Sequence, residues 1–282
     1  MKNAAMLESS SLTNPGRKRS NNEDCFLSLP EHALWMVADG MGGHEAGEVA
    51  SAIVRQTLQE HPSESLQQSI QAAHQAVLRA ASDGVGAEGM GSTVVALKDH
   101  GKGYEIAWVG DSRAYGWSPG SGLQQLTTDH SYVQMLLQSG AIDPSDASNH
   151  PDKSIITQCL GSRELDVVEV DIVRGQWQPE QWILLCSDGL TDELSDQDIS
   201  RILKAADTPA TAARELMAAA LSSGGRDNIT LQVIAAPTQQ HSLLERLLDW
   251  VPIFTVNRRW DAAIYGAAIV TLVALLYWTV FR

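Results

Sequence analysis

Five short apolar runs in this chain each start or stop at an acidic residue, and that pattern narrows the folds open to it. LWMVA (34–38) leads directly into Asp39, and WILLC (182–186) reaches Asp188 after one serine. YEIAWV (104–109) is followed by Gly110 and Asp111. ITLQVI (229–234) is preceded by Asp227 and Asn228, and CFL (25–27) by Glu23 and Asp24. Short apolar runs bounded by small, polar turns read as strands, and those without alternation read as strands covered on both faces. AYGW (114–117) lies close enough behind YEIAWV to predict a hairpin turning at Asp111.

Helical patterns fill the spaces between. Val49, Ala50, Ile53, Val54, Thr57 and Leu58 share one face, and Leu66, Ile70, Ala73 and Val77 share another. Ser195 and Asp198 read as a capping box before ISRILKAA (199–206). Thr208-Pro209 opens an Ala-rich helix that Gly224-Gly225 closes. Strands that cluster instead of alternating strictly with helices predict an α+β fold, in which strand layers are covered by helices. The polar stretch 140–181, with Pro144, Pro151 and Pro179, breaks this rhythm and reads as an inserted flap.

Charge excludes one class of function. Twenty Lys and Arg against 34 Asp and Glu leave a net charge of −14, and so acidic a surface repels nucleic-acid backbones. Cys25, Cys159 and Cys186 are odd in number and form no CxxC pair. They predict neither a disulfide framework nor a structural zinc site, but small core residues of a protein in a reducing compartment. If the acidic strand ends meet at one rim, their repulsion calls for cations between them. Ligands that are all oxygen select magnesium or manganese over zinc. Several carboxylates around a shared ligand form what a two-metal hydrolytic site needs.

Eight blocks then occur in order: RSNNED (19–24), ADGMGGHEAGEVAS (38–51), GMGSTVV (89–95), GDSRAY (110–115), LTTDHSYV (126–133), ITQCLGS (156–162), SDGLTD (187–192) and DNIT (227–230). Together they resemble the bacterial form of the metal-dependent serine/threonine phosphatases of type 2C, over residues 10–236. The resemblance implies a central antiparallel β-sandwich flanked by α-helices on both faces. It implies two Mn2+ or Mg2+ ions, with a third, weaker position, and hydrolysis of phosphoserine or phosphothreonine by a metal-activated water without a phosphoenzyme. Asp39 is similar to the aspartate that bridges the two ions, and Gly40 to the residue whose carbonyl binds one of them. Asp188 and Asp227 correspond to the aspartates completing the other shell. Glu23 and Asp24 correspond to the acidic pair that holds metal-bound water. Asp111 and Asp192 fit the third position, and Arg19 fits the arginine that clamps the substrate phosphate. The implied partners are a phosphorylated protein and a kinase that the enzyme opposes.

One position departs from the pattern. The proposed proton donor of eukaryotic members follows the DG pair directly, where this chain has Met41. His44 is the candidate acid here, and water held by a metal is the alternative. Rival chemistries fail on spacing: no aspartate stands three residues before any histidine, as a GDS-type esterase needs around Ser112. Cys159 lacks the arginine spacing of a cysteine phosphatase, and no GxxxxGK[ST] loop occurs. A non-catalytic, membrane-tethered phosphoprotein-binding module is the alternative from another class.

The two ends of the chain differ. Residues 1–9 read as a tail, and the first twenty residues hold no apolar run suited to a signal peptide. AAIYGAAIVTLVALLYWTVF (262–281) runs twenty residues without a charge, enough for a helix to span a bilayer core. Arg258 and Arg259 precede it and Arg282 alone follows, which predicts a single-pass tail anchor in the inner membrane with the bulk of the chain in the cytoplasm. A buried soluble helix is the competing reading. Residues 237–261, with Leu243, Leu244, Leu247 and Leu248 at helical spacing, read as an amphipathic linker.

Overall fold

A computed structural model describes residues 6–43, 46–147 and 150–237, and its strands divide into two antiparallel sheets. The first part of the chain forms β1 (Ser9–Asn14), β2 (Asp24–Leu29) and β3 (Leu34–Met41), then the helices α1 (Ala46–Glu60) and α2 (Leu66–Ser82). Next come β4 (Gly91–Ser92), β5 (Val94–Asp99), β6 (Gly103–Val109), β7 (Arg113–Ser118) and β8 (Gly122–Gln125). After them run α3 (Tyr132–Gln138), α4 (Pro144–Ala147), β9 (Asp171–Gln176) and β10 (Trp182–Cys186). The last elements are α5 (Asp188–Thr191), α6 (Asp196–Ala205), α7 (Pro209–Ser223) and β11 (Ile229–Ala235). One sheet has the order β1-β11-β10-β7-β8, and the other β2-β3-β5-β6-β9 with β4 paired to β3.

The non-alternating runs are explained by a two-sided environment. Leu34, Met36 and Ala38 of β3 pack with Ala50, Val54 and Leu58 of α1 and with Ile70 and Val77 of α2. Trp35 and Val37, pointing the other way, join Val95, Ile106, Ile183, Leu185 and Ile234 between the sheets. Leu184 and Cys186 of β10 instead meet Ile199 and Leu203 of α6 and Leu216 of α7. The result is the expected helix–sheet–sheet–helix layering.

The predicted hairpin at Asp111 does not form. β6 pairs with β5 and β9 in one sheet, whereas β7 pairs with β10 and β8 in the other. The turn at Gly110 carries the chain across the sandwich. Gly110 adopts φ +103° and lies so close to Thr93 that a Cβ there would sit 2.7 Å from the threonine Cβ.

Helix ends follow the sequence signals. Thr208 Oγ1 accepts the Thr211 N–H at 3.1 Å, and Pro209 occupies the first turn of α7. Ser195 Oγ accepts the Asp198 N–H at 3.2 Å, while its own hydroxyl donates to Asp198 Oδ2 at 2.7 Å. The segment 140–181 is less of an excursion than its composition implies: β9 completes an edge of the six-stranded sheet, and Leu160 and Val168 are buried. At the N-terminal end Leu7 is buried and β1 begins at Ser9. Among the described residues no helix is long and apolar enough to cross a membrane. The predicted span 262–281 and nearly all of the linker 237–261 lie outside them.

Candidate active site

The site grows from the edge where β2 meets β3. Asp24 and Asp39 are register partners there, so their side chains share a face of the sheet. The Gly40 N–H donates to the Glu23 carbonyl at 3.1 Å. A Cβ on Gly40 would fall 2.0 Å from the Gly47 carbonyl oxygen, and one on Gly47 would fall 2.7 Å from Glu23 Cδ. Two glycines thus let the start of α1 close on the strand and hold the Glu23 carboxylate nearby.

Thr93 links this edge to Asp111. Asp39 N–H donates to Thr93 Oγ1 at 3.0 Å, and Thr93 N–H donates back to the Asp39 carbonyl at 2.8 Å. The same Thr93 hydroxyl lies 2.7 Å from Ser112 Oγ, next to Asp111. Beyond it the Arg113 guanidinium grips Asp129 with bonds of 2.6 to 3.0 Å.

The other sheet supplies the remaining acids. Asp188 opens α5 directly after β10, and Ser187 Oγ donates to Asp24 Oδ2 at 2.7 Å. Asp227 precedes β11 and forms a 2.7 Å ion pair with Arg19. Asn228 knits this corner together: its amide donates to the Pro15 and Asn21 carbonyls at 3.0 and 2.8 Å, and its Oδ1 accepts the Glu23 N–H at 2.8 Å. Asp192 accepts a 2.8 Å bond from Lys153, which lies in the predicted flap.

A cavity of about 430 Å³ gathers these groups. Arg19, Glu23, Asp39, Gly40, Asp111, Asp188, Asp192 and Asp227 all line it, together with Asn228 and Ile156. Asp24 does not line it. That side chain is buried beneath, bonded through Oδ2 to Ser187, and its Oδ1 has no hydrogen-bond partner. His44 lies outside the described residues. A second cavity, of about 460 Å³, shares Asp111, Ser154, Asp188 and Asp192 with the first.

Burial, and after it crowding, raises the carboxyl pKa values. Burial, then the neighbouring Asp192 and Asp227, pushes Asp188 up to about 6. Burial and the charges of Asp188 and Asp129 push Asp111 up to about 8. Burial, opposed by hydrogen bonds from Ser187 and Thr230, leaves Asp24 at about 7. Asp39 is also raised well above the ordinary aspartate value, by burial and by the neighbouring Asp24, Asp188 and Asp111. Among the described residues no three acidic, histidine or cysteine side chains converge on one ion-sized point. The acids engage Arg19, Lys153, Ser187 and each other instead. As a donor set they are all oxygen, crowded and partly dehydrated, which fits hard divalent ions.

The family model described as protein phosphatase 2C matches residues 16–223. The chain belongs to this family. The match stops short of Asp227, which pairing of β11 with β1 and β10 brings to the site. This 2C phosphatase is 37% identical over 237 residues to the serine/threonine phosphatase stp of Listeria innocua, covering 79% of this chain and 93% of the relative. It is similar to the crystal structure of the Mycobacterium tuberculosis serine/threonine phosphatase PstP/Ppp, with 35% identity and a TM-score of 0.74, over 81% of this chain and 98% of that one. It is also similar to the catalytic domain of PstP solved with two manganese ions, with 33% identity and a TM-score of 0.72, over 81% and 97% of the two chains.

Sequence reasoning named every acid that lines the cavity. It gave no role to Asn228, Thr93 or Lys153, although the first two stand in the quoted DNIT and GMGSTVV blocks.

Proposed function

We infer that this 2C phosphatase hydrolyses phosphoserine and phosphothreonine in proteins with two bound Mn2+ or Mg2+ ions. One observation carries the reading: acids from β3, the β6–β7 crossing, α5 and the approach to β11 line a single cavity with one arginine at its edge. Asp39 and Gly40 would hold one ion, and Asp39, Asp188 and Asp227 the other. Asp111 and Asp192 would hold a third more weakly. Bound divalent ions supply positive charge for phosphate oxygens and lower the pKa of water.

The chain's own groups then have distinct tasks. Glu23 accepts hydrogen bonds from water at the cavity wall, and Asp24 holds Ser187, the residue before Asp188, from beneath. Arg19 exchanges its exposed pairing with Asp227 for the oxygens of the incoming phosphate, which its planar fork suits. His44 is the proposed donor of a proton to the departing seryl or threonyl oxygen. The protein side chains bind, orient and protonate, and none is needed as a nucleophile.

The wider reading adds a cognate serine/threonine kinase whose products the enzyme removes. It also adds a tether: the uncharged residues 262–281 as a tail anchor that keeps the catalytic domain on the cytoplasmic face. Cell fractionation tests the tether. The full chain belongs in membranes and a chain ending before Arg258 in the soluble fraction; two soluble chains would refute anchoring. Phosphate release from a phosphothreonine peptide tests the catalysis, with activity that chelator removes and Mn2+ restores. Peptide binding without release at any Mn2+ concentration would instead indicate a phosphoprotein-binding module.

A further inference from the structure

The LTTDHSYV block (126–133) contributes no acid to the cavity just described, yet it holds the turn that presents Asp111. His130 grips Gly110, the residue before Asp111, at two points. The Gly110 N–H donates to His130 Nδ1 at 3.1 Å, and the His130 N–H donates to the Gly110 carbonyl at 3.0 Å. Because Nδ1 accepts, the neutral ring carries its proton on Nε2, which faces Asp171 Oδ2 at 3.4 Å. The ring stacks over Trp108 at 6.3 Å, and the side chain is only 11% exposed.

Gly110 needs such an external hold. With φ at +103° and no side chain, it has nothing of its own to fix the direction in which Asp111 leaves the sheet crossing. From its other side His130 reaches the flap: its carbonyl accepts the Thr157 N–H at 2.7 Å, and the adjacent Ser131 pairs with Ile156 of the cavity wall.

We propose that His130 is a positioning residue that fixes the Asp111 turn against the Ile156 wall and thereby sets the affinity of the outermost cation position. The inference rests on the reading that Asp111 helps to hold a divalent ion. It assigns the imidazole no contact with substrate or metal.

Two substitutions separate the ring's two contacts. His130→Asn keeps an acceptor near the Nδ1 position, and His130→Gln keeps a donor near Nε2 but removes that acceptor. Mn2+ binding to the full-length chain is followed by titration calorimetry, with Asp111→Asn marking the step that depends on Asp111. In His130→Gln that step weakens about tenfold while tighter steps are unchanged, and in His130→Asn it stays within about threefold of the parent. Equal behaviour of the two variants, or weakening of every step alike, overturns the inference while leaving the phosphatase reading intact. A parent chain that binds no Mn2+ overturns the metal reading, and the inference with it.

Discussion

Asp24 and Asp39 stand directly opposite one another in the antiparallel ladder of β2 and β3. Two carboxylates in that relation repel, and Asp24 is buried away from the water that would screen its charge. Together with Asp188 at about 6 and Asp111 at about 8, Asp24 at about 7 holds its proton well above the ordinary aspartate value of 3.8. In the folded chain without added metal these carboxyls therefore bind more protons than they do in the unfolded chain between about pH 4 and pH 8. Their contribution to stability is fully present below that window and is lost as pH rises through it. Mn2+ competes with those protons, so its stabilising effect should grow in the same direction. Thermal unfolding of chelator-treated protein should show a Tm that falls from about pH 5 to pH 8, and a Mn2+-induced rise that is larger at the higher pH. A Mn2+ effect that shrinks with rising pH would contradict the assignment of these acids.

Replacing Asp39 by Asn separates stability from function. Asn cannot ionise, so position 39 adds nothing to the repulsion that builds among Asp24, Asp188 and Asp111 as pH rises, and the chelator-treated variant should be at least as stable as the parent at about pH 8. Phosphate release should fall about a thousandfold at saturating Mn2+. Denaturant unfolding and steady-state kinetics on the same preparation check both halves.

The Arg19–Asp227 pair is exposed on both sides, at 54% and 38%, and such pairs contribute about 0–1 kcal/mol. Arg19→Ala should leave the unfolding midpoint nearly unchanged. Its effect belongs on substrate: KM for a phosphothreonine peptide should rise about tenfold, with Arg19→Lys recovering only part because the planar fork is lost. Paired measurements of KM and denaturant midpoint decide the point.

Asn228 predicts the opposite balance. It is 5% exposed and makes three hydrogen bonds to the N-terminal loop. Asn228→Asp would aim a carboxylate at two carbonyl oxygens, so it should cost about 2–4 kcal/mol, measurable as a lower midpoint in urea.

His44 can be tested by leaving group. A general acid matters for expelling an alkoxide and little for expelling p-nitrophenolate. His44→Ala should therefore slow phosphopeptide hydrolysis about a hundredfold and p-nitrophenyl phosphate hydrolysis far less. Equal slowing of both substrates would remove His44 from that role.

Asp192 borders no apolar run and came only from the family resemblance. Glu23, Asp24, Asp39, Asp111, Asp188 and Asp227 were legible because each borders one, and a run buried on both faces must leave its polar neighbours at the sheet edge. Asp39, Asp188 and Asp227 could be read in that way without knowing which strands pair. Pairing itself was not local information. YEIAWV and AYGW look alike whether they fold back on each other or cross between sheets, and Gly110 packing on Thr93 settles the matter through a contact outside either run. β1 (SSSLTN) was silent because its order comes from pairing with β11, over two hundred residues away. The partners of the acids were hidden for the same reason. Lys153 meets Asp192 and Ser187 meets Asp24 across 39 and 163 residues, distances that no motif spacing encodes.

The most direct test is a Mn2+ titration of phosphate release from a phosphothreonine peptide, run on chelator-treated parent chain and on Asp39→Asn, Asp188→Asn and Asp227→Asn. A shared ion site predicts that the parent recovers activity saturably and that all three variants lose it together. Activity in the parent without divalent ions, or undiminished activity in any two of the variants, would show that these carboxylates do not form one catalytic centre.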